Sequence, residues 1–350
     1  MKEVAIGNRV IGAGHPVFII AELSANHQQN FDLAVRTIQA MRESGADAVK
    51  LQTYTPDTMT IDCDHSYFRI KQGTIWDGKT LYQLYREAYT PWEWQPKLKE
   101  IAEELGLICF SSPFDRTAVD FLEKMGVPAY KVASFEITDI PLIEYIASKG
   151  KPVVISTGIA ILSEIEEAVA ACRRKGNDQI VLLKCTSAYP APFEEVHLRT
   201  IPNMAEVFQS VIGLSDHTLG YSVPIGSVAL GASVIEKHFI LDRNQGGPDA
   251  PFSMEPEEFR AMVQGVREVE KALGRVNYTV SERIRKSRAF SRSLFAVKEI
   301  KAGEQITEEN IRSIRPGFGI SPKHWATVLG KTARKDIRRG TPLRWDLIGE

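Results

Sequence analysis

The sequence predicts an α/β protein, a (β/α)8 TIM barrel followed by a small C-terminal β-rich domain. Three observations carry this reading. Eight short apolar runs punctuate the first 240 residues, stretches with helical spacing separate most of them, and the pattern changes after residue 280. Eight repeats of strand then helix are the sequence image of a closed parallel barrel, whose active site lies at the C-terminal ends of its strands.

The eight strands are read at residues 17–22, 48–53, 107–112, 129–134, 152–157, 180–186, 211–215 and 232–238. Nearly every run ends in a polar or charged side chain. Between strands, Thr90-Pro91-Trp92-Glu93 forms a capping box with proline at the first helical position. Its helix runs through Glu104 and stops at Gly106. A second capping box, Ser163-Glu164-Ile165-Glu166, opens a helix that ends near Gly176. Phe259, Met262, Val263, Val266, Val269 and Leu273 form one stripe on a last helix, closed by Gly274. The connection between the second and third strands is unusually long and holds the aromatic-rich stretch 73–82. Long insertions on the catalytic face serve binding, so this one is expected at the barrel mouth.

The barrel domain is therefore expected over residues 1–280, a charged linker over 281–291 and the small domain over 292–350. The last contains short strands and turn signals at 294–297, 301–304, 311–314, 315–317 and 339–342. So small a unit buries little apolar surface, and is expected to dock on its own barrel or on a second subunit.

Composition excludes several classes. The chain has 350 residues, 43% hydrophobic and 25% charged, the balance of an ordinary soluble globular protein. A net charge of -1 leaves no electrostatic footprint for nucleic acid or membrane. The basic stretch 283–292 reads as a solvated linker face. Cys63, Cys109, Cys172 and Cys185 form no CxxC pair, which fits a reducing, cytoplasmic setting. No apolar run reaches the roughly 20 residues of a membrane span, and the N-terminus does not read as a signal peptide.

The strand ends should converge on one pocket. Strand period points Glu236 and His238 to the same side, and His217 follows the adjacent strand. Two imidazoles with Glu22, Glu236 or water suit a hard divalent ion such as Mn2+; the other reading is two hydrogen-bonded histidines. Lys50 and Lys131 end the second and fourth strands, with Ser112, Ser134, Ser156 and Ser215 on neighbouring ends. Lysine in a barrel strand needs an anion or neutralisation, so the set suits a phosphate or carboxylate ligand. The alternative is a structural ion pair of each lysine with Glu22, Glu136 or Asp216. A desolvated Lys131 also opens the rival chemistry of a class I aldolase, an imine with a carbonyl substrate.

At these residues the chain resembles the sialic acid synthase family, which condenses phosphoenolpyruvate with an amino sugar. The carriers are Ile20-Ala21-Glu22 with Asn26-His27, Val49-Lys50-Leu51-Gln52-Thr53, Phe110-Ser111-Ser112-Pro113-Phe114 and Tyr130-Lys131-Val132-Ala133-Ser134. Ile155-Ser156-Thr157-Gly158, Cys185-Thr186-Ser187-Ala188-Tyr189-Pro190, Gly213-Leu214-Ser215-Asp216-His217-Thr218 and Glu236-Lys237-His238-Phe239 follow in order. Each motif is short; eight in this order are highly specific. The tail, with Ile314-Arg315-Pro316-Gly317, resembles the antifreeze-like (SAF) domain of the same enzymes. The insertion from Gly73 to Leu81, continuing through Tyr89-Thr90-Pro91-Trp92-Glu93-Trp94, resembles the branch that makes pseudaminic acid. Gln28-Gln29 stands where the N-acetylneuraminate branch usually shows Asn-Gly after Asn-His, and Ser112 where many relatives carry threonine.

The resemblance implies roles. His217 and His238 would bind the divalent ion, Mn2+ first and Co2+ or Mg2+ as alternatives. Lys50, Lys131, Ser112, Ser134, Ser156, Thr186 and Ser215 would hold phosphoenolpyruvate. Glu22 would steer or deprotonate the attacking water, with Gln52 and Glu236 as positioning groups. Tyr189, Asp249 and Arg315 would contact the sugar. The family also implies a domain-swapped homodimer, with Arg315 reaching across to the partner's substrate. The sugar expected is 2,4-diacetamido-2,4,6-trideoxy-L-altrose, the alternatives being precursors of legionaminic or N-acetylneuraminic acid.

Overall fold

The computed structural model describes residues 2–350 and separates them into two compact units, Met1–Gly274 and Arg275–Glu350. The first begins with an antiparallel hairpin, β1 (Glu3–Ile6) and β2 (Arg9–Gly12), turned at Gly7, whose φ of 57° suits glycine. This hairpin is absent from the sequence reading.

Eight parallel strands then close a barrel: β3 (Phe18–Glu22), β4 (Ala48–Thr53), β5 (Ile108–Pro113), β6 (Tyr130–Val132), β7 (Val153–Ser156), β8 (Ile180–Cys185), β9 (Val211–Asp216) and β10 (Val234–His238). The first and last pair directly, His238 opposite Glu22, and Glu22 in turn lies opposite Lys50 on β4. This register puts charged strand ends from consecutive strands at one height. The (β/α)8 expectation holds, with every strand within two residues of its sequence reading.

Helices follow the strands: α1 (Phe31–Glu43), α2 (Pro56–Met59), α3 (Leu81–Ala88), α4 (Gln95–Glu104), α5 (Arg116–Met125), α6 (Ile140–Ala147), α7 (Leu162–Arg174), α8 (Thr200–Phe208), α9 (Ser222–Ala229) and α10 (Pro256–Leu273). Buried Val, Ile and Leu of the strands pack against them, as Ile235 and Phe239 do with Phe259 and Met262 of α10. Two starts differ from the sequence reading. Thr90 does not cap α4; its side chain is buried and bonds His27, and a 3-10 turn at Trp92–Trp94 precedes the helix. At α7 the Glu164 carboxylate accepts from Ile161 N–H, which leaves Ser163 inside the first turn.

The second unit is built around β11 (Ser293–Ala296) and β12 (Ile311–Ile314), paired antiparallel with Leu294 opposite Ser313. Its own core holds Leu294, Ile300, Ile306, Ile311, Val328, Ile337 and Leu343. The segment read as a linker carries a short helix, α11 (Glu282–Ser287), and the exposed basic face expected of it.

Candidate active site

Two halves of the barrel floor differ in how they settle charge. On the β10–β3–β4 side, Lys50 Nζ lies 2.9 Å from Glu22 Oε2 and 2.7 Å from Glu236 Oε1. Gln52 Nε2 donates to Glu22 Oε1 at 2.7 Å and to Ser24 Oγ at 2.9 Å, and Ser215 Oγ donates to Glu236 Oε1 at 3.0 Å. Burial by itself would raise the Glu22 carboxyl. The fields of His238 and of Lys50, with bonds from Gln52 and Lys50, outweigh it and hold Glu22 far below the carboxylate range. Glu236 is likewise lowered, its burial overcome by Lys50 and Lys131. Lys50 is raised, because two carboxylates more than offset its desolvation.

On the β6–β7 side, Lys131 is equally buried but donates only to neutral atoms, Val132 O at 2.8 Å and Ser156 Oγ at 2.7 Å. Burial pulls its ammonium down to about 8, with Glu236 opposing. Ser134 Oγ accepts from Gly158 N–H at 3.1 Å. A Cβ on Gly158 would stand 2.8 Å from that hydroxyl and 2.1 Å from Ser187 Oγ, so the close approach requires glycine. A lysine with only neutral hydrogen-bond partners can still take an anion.

The two histidines stand across the cavity with ring centroids 5.4 Å apart. His217 Nδ1 is 3.0 Å from the Thr186 carbonyl, which can only accept, so Nδ1 carries the proton and Nε2 the lone pair. Cys185 Sγ lies 3.7 Å from the same nitrogen. Burial lowers the His217 imidazole, but Cys185, the Thr186 carbonyl and Asp216 raise it above its ordinary value. Burial raises the Cys185 thiol; His217, Ser134 and Lys131 bring it down to about 7. His238 is pushed down, mainly by burial, with the Glu22 and Asp249 carboxylates opposing. Its Nε2 lies 3.1 Å from Glu22 Oε2, while its buried Nδ1 has no hydrogen-bond partner and lies 3.7 Å from Asp249 Oδ2. Among the described residues no group of three or more His, Cys, Asp and Glu side chains is arranged to hold a metal. The donors present fit a cation taking two imidazoles from the protein and its remaining positions from substrate and water.

These residues share one cavity of about 230 Å³. Its ionic floor is made by the strand ends. Its upper wall is apolar: Met59, Leu84, Tyr85 and Ala88 come from the long β4–β5 connection and Phe114 from the end of β5. Trp76, on the same connection, donates from Nε1 to Pro248 O at 2.9 Å and packs 5.4 Å from Tyr189. The insertion does lie over the barrel mouth.

Glu22, Lys50, Gln52, Lys131, Ser134, Ser156, Tyr189, Ser215, His217, Glu236, His238 and Asp249 all line the cavity. Ser112 does not; its buried hydroxyl has no partner. Thr186 also lies outside. Cys185 points inward to His217, so strand alternation turns Thr186 away, and its hydroxyl meets Lys184 Nζ and Glu195 O. Its contribution is the carbonyl that holds His217. Arg315 is exposed on the second unit. Sequence reasoning missed Phe252, whose ring packs 4.9 Å from His238 and 6.1 Å from His217. Its placement comes from a 3-10 turn at Ala250–Phe252 that has no periodic signal. Glu136 was read only as a partner for lysine. It lines the cavity with one carboxylate oxygen unpartnered, and burial pushes it up to about 7.

The profile of the NeuB family matches residues 37–278, and that of the SAF domain matches residues 291–349. The chain belongs to the NeuB family. It is 46% identical to pseudaminic acid synthase of Campylobacter jejuni over 328 residues, 94% of this chain and 95% of the relative. N,N'-diacetyllegionaminic acid synthase of Legionella pneumophila is 37% identical over 342 residues, 96% of each chain. The crystal structure of N-acetylneuraminic acid synthetase from Leptospira borgpetersenii, in complex with citrate, superposes with a TM-score of 0.73. That chain is 31% identical, and the match covers 82% of this chain and 95% of that one.

Proposed function

We propose that this chain is a pseudaminic acid synthase. It condenses phosphoenolpyruvate, 2,4-diacetamido-2,4,6-trideoxy-L-altrose and water to pseudaminic acid and phosphate. The observation that carries this is the divided cavity, with an anion-ready Lys131 among hydroxyls on one side and two imidazoles beside Glu22 on the other. The 46% identity to a pseudaminic acid synthase supports the branch. The apolar upper wall supports a sugar with a methyl group at its sixth carbon over N-acetylmannosamine, which carries a hydroxyl there.

Lys131, Ser134, Ser156 and Ser215 hold the phosphate and carboxylate of phosphoenolpyruvate, and Ser112 lies buried beside them on β5. Tyr189 and Asp249 orient the open-chain sugar. His217 and His238 would hold a divalent ion, Mn2+ or else Co2+ or Mg2+, whose chemistry is Lewis-acid polarisation of the sugar aldehyde. The methylene carbon of phosphoenolpyruvate attacks the aldehyde carbon, whose oxygen takes up a proton, and the carbon bearing the phosphate becomes an oxocarbenium centre. Glu22, held ionised by Lys50, stabilises that positive charge and orients the water that captures it. One proton of that water balances the one taken up by the sugar oxygen, and the other goes to the departing phosphate. Cleavage of the C–O bond to phosphate then gives the 2-keto acid.

The same reading includes a domain-swapped homodimer in the cytoplasm, with Arg315 of the second copy completing the sugar site. Exposed Phe135, Ile159, Ile161, Leu162, Phe193 and Leu219 support it, since all follow the ends of strands β6 to β9 at the mouth, Leu162 as the first residue of α7. No helix among the described residues is long and apolar enough to cross a membrane.

The test is phosphate release from phosphoenolpyruvate with Mn2+ present. The altrose-configured diacetamido sugar is compared with its manno isomer and with N-acetylmannosamine. Strong turnover on the first alone is expected. Turnover on another sugar keeps the condensation and moves the branch to legionaminic or N-acetylneuraminic acid. A borohydride-trapped adduct at Lys131 with pyruvate, and no phosphate release, would instead make it an imine-forming aldolase.

A further inference from the structure

Barrel strands turn alternate residues inward and outward. On β9 and β10, Ser215, His217, Glu236 and His238 line the cavity, which leaves Asp216 and Lys237 on the outer side of the wall. They are direct neighbours in register, and both are almost completely buried, at 3% and 1% exposure. Their sequence neighbours on that face are apolar: Ile235 and Phe239 pack with Phe259 and Met262. A full ion pair in this layer is costly to desolvate, and an apolar pair of similar size would serve packing as well or better.

The hydrogen bonds show what the charges hold. Lys237 Nζ donates to Asp216 Oδ2 at 2.5 Å and also to the Thr218 carbonyl. The Asp216 carboxylate accepts from Thr218 N–H at 3.2 Å and from Thr218 Oγ1 at 3.0 Å. Asp216 and Thr218 are the residues on either side of His217, and Lys237 is the residue before His238. The three side chains close a tight turn around His217 and tie it to the strand that presents His238. From the other side, His217 is held by the Thr186 carbonyl on its ring and by Ala191 N–H, which donates to its carbonyl at 3.0 Å.

We infer that the buried Lys237–Asp216 pair is a positioning device that fixes the spacing of His217 and His238 for a divalent cation. Neither residue touches substrate. The inference rests on the reading of the two histidines as the cation's ligands. Groups that orient metal ligands from behind are commonly worth 10–100-fold in metal affinity.

The experiment is a Mn2+ titration of the full-length protein, without substrates, followed by the paramagnetic resonance of the free ion. Thermal melting is recorded on the same samples without metal. Lys237→Met is expected to weaken Mn2+ binding about 10–100-fold and to lower the melting temperature, since it strands a buried carboxylate. The deciding variant is Lys237→Met combined with Asp216→Leu. Removing both charges is expected to restore melting to near the wild-type temperature, while Mn2+ binding stays at least about tenfold weak, because nothing then closes the turn around His217. Restored melting together with wild-type Mn2+ affinity overturns the inference. Should the double variant not melt cooperatively, Asp216→Asn, which keeps the shape, supports the inference by binding Mn2+ weakly and overturns it by binding normally. Wild-type protein that takes up no Mn2+ overturns the metal reading and this inference together, which is distinguishable from failure of the variants alone.

Discussion

Lys50 and Lys131 are the same residue type on the inner wall of one barrel, both almost fully buried, and their surroundings give them opposite properties. The β10–β3–β4 half surrounds Lys50 with two carboxylates and raises its pKa. The β6–β7 half gives Lys131 a carbonyl and a hydroxyl and lets burial lower it to about 8. A buried ammonium already neutralised is part of the wall. One left with neutral partners has unmet attraction for an anion, and that difference locates the phosphoenolpyruvate side of the cavity. The two should therefore respond to removal with effects on different quantities.

The largest effect is expected at Lys50. Lys50→Met leaves Glu22 and Glu236 in a buried floor without the ammonium that bonds them both, a loss of about 3–5 kcal/mol of folding stability. Chemical denaturation at pH 7 measures it. A stability within about 1 kcal/mol of wild type would mean that the two halves do not differ in the way described.

Next comes Lys131→Met. Removing an ammonium that meets a buried anionic substrate costs roughly 2–5 kcal/mol of binding, so kcat/KM for phosphoenolpyruvate should fall by about 30-fold to several thousand-fold. Stability of the free protein should hold or change little, since the lost ammonium is bonded to no carboxylate and the field of Glu236 only partly offsets its desolvation. Steady-state kinetics beside a denaturation curve reads both. A large loss of stability with little change in kcat/KM would exchange the roles of the two lysines.

The sequence showed this contrast only in outline. Strand ends at Glu22, Lys50, Lys131, Ser156, Ser215 and His238 were legible because a polar residue closing an apolar run marks the catalytic face of a barrel. Partner choice was not legible: pairing Lys50 with Glu236 depends on β10 closing against β3, a contact between residues far apart in the chain. Thr186 was misplaced because the strand-end rule takes no account of alternation, and inward Cys185 turns it away. Thr90 and Ser163 satisfied cap spacing, yet a buried bond to His27 and a two-residue offset of the α7 start to Ile161 prevailed. The 3-10 turn that packs Phe252 beside the histidines is too short for any period to register, and the N-terminal hairpin was not read.

The smallest expected effect is the most specific to the contrast. With its pKa near 8 in the free protein, Lys131 is charged below that pH and loses its proton above it, whereas Lys50, raised by its carboxylates, stays charged throughout. Because kcat/KM reports the free enzyme, its value for phosphoenolpyruvate should fall about tenfold per pH unit above a break near 8. Bound substrate restores the missing anion and raises the lysine, so kcat should hold to higher pH than kcat/KM. Lys131→Arg, which keeps its charge at every accessible pH, should lose the break even if its overall rate is lower. A break that persists unchanged in Lys131→Arg would assign the titration to another group in the cavity, and the β6–β7 half would no longer be distinguished by its lysine.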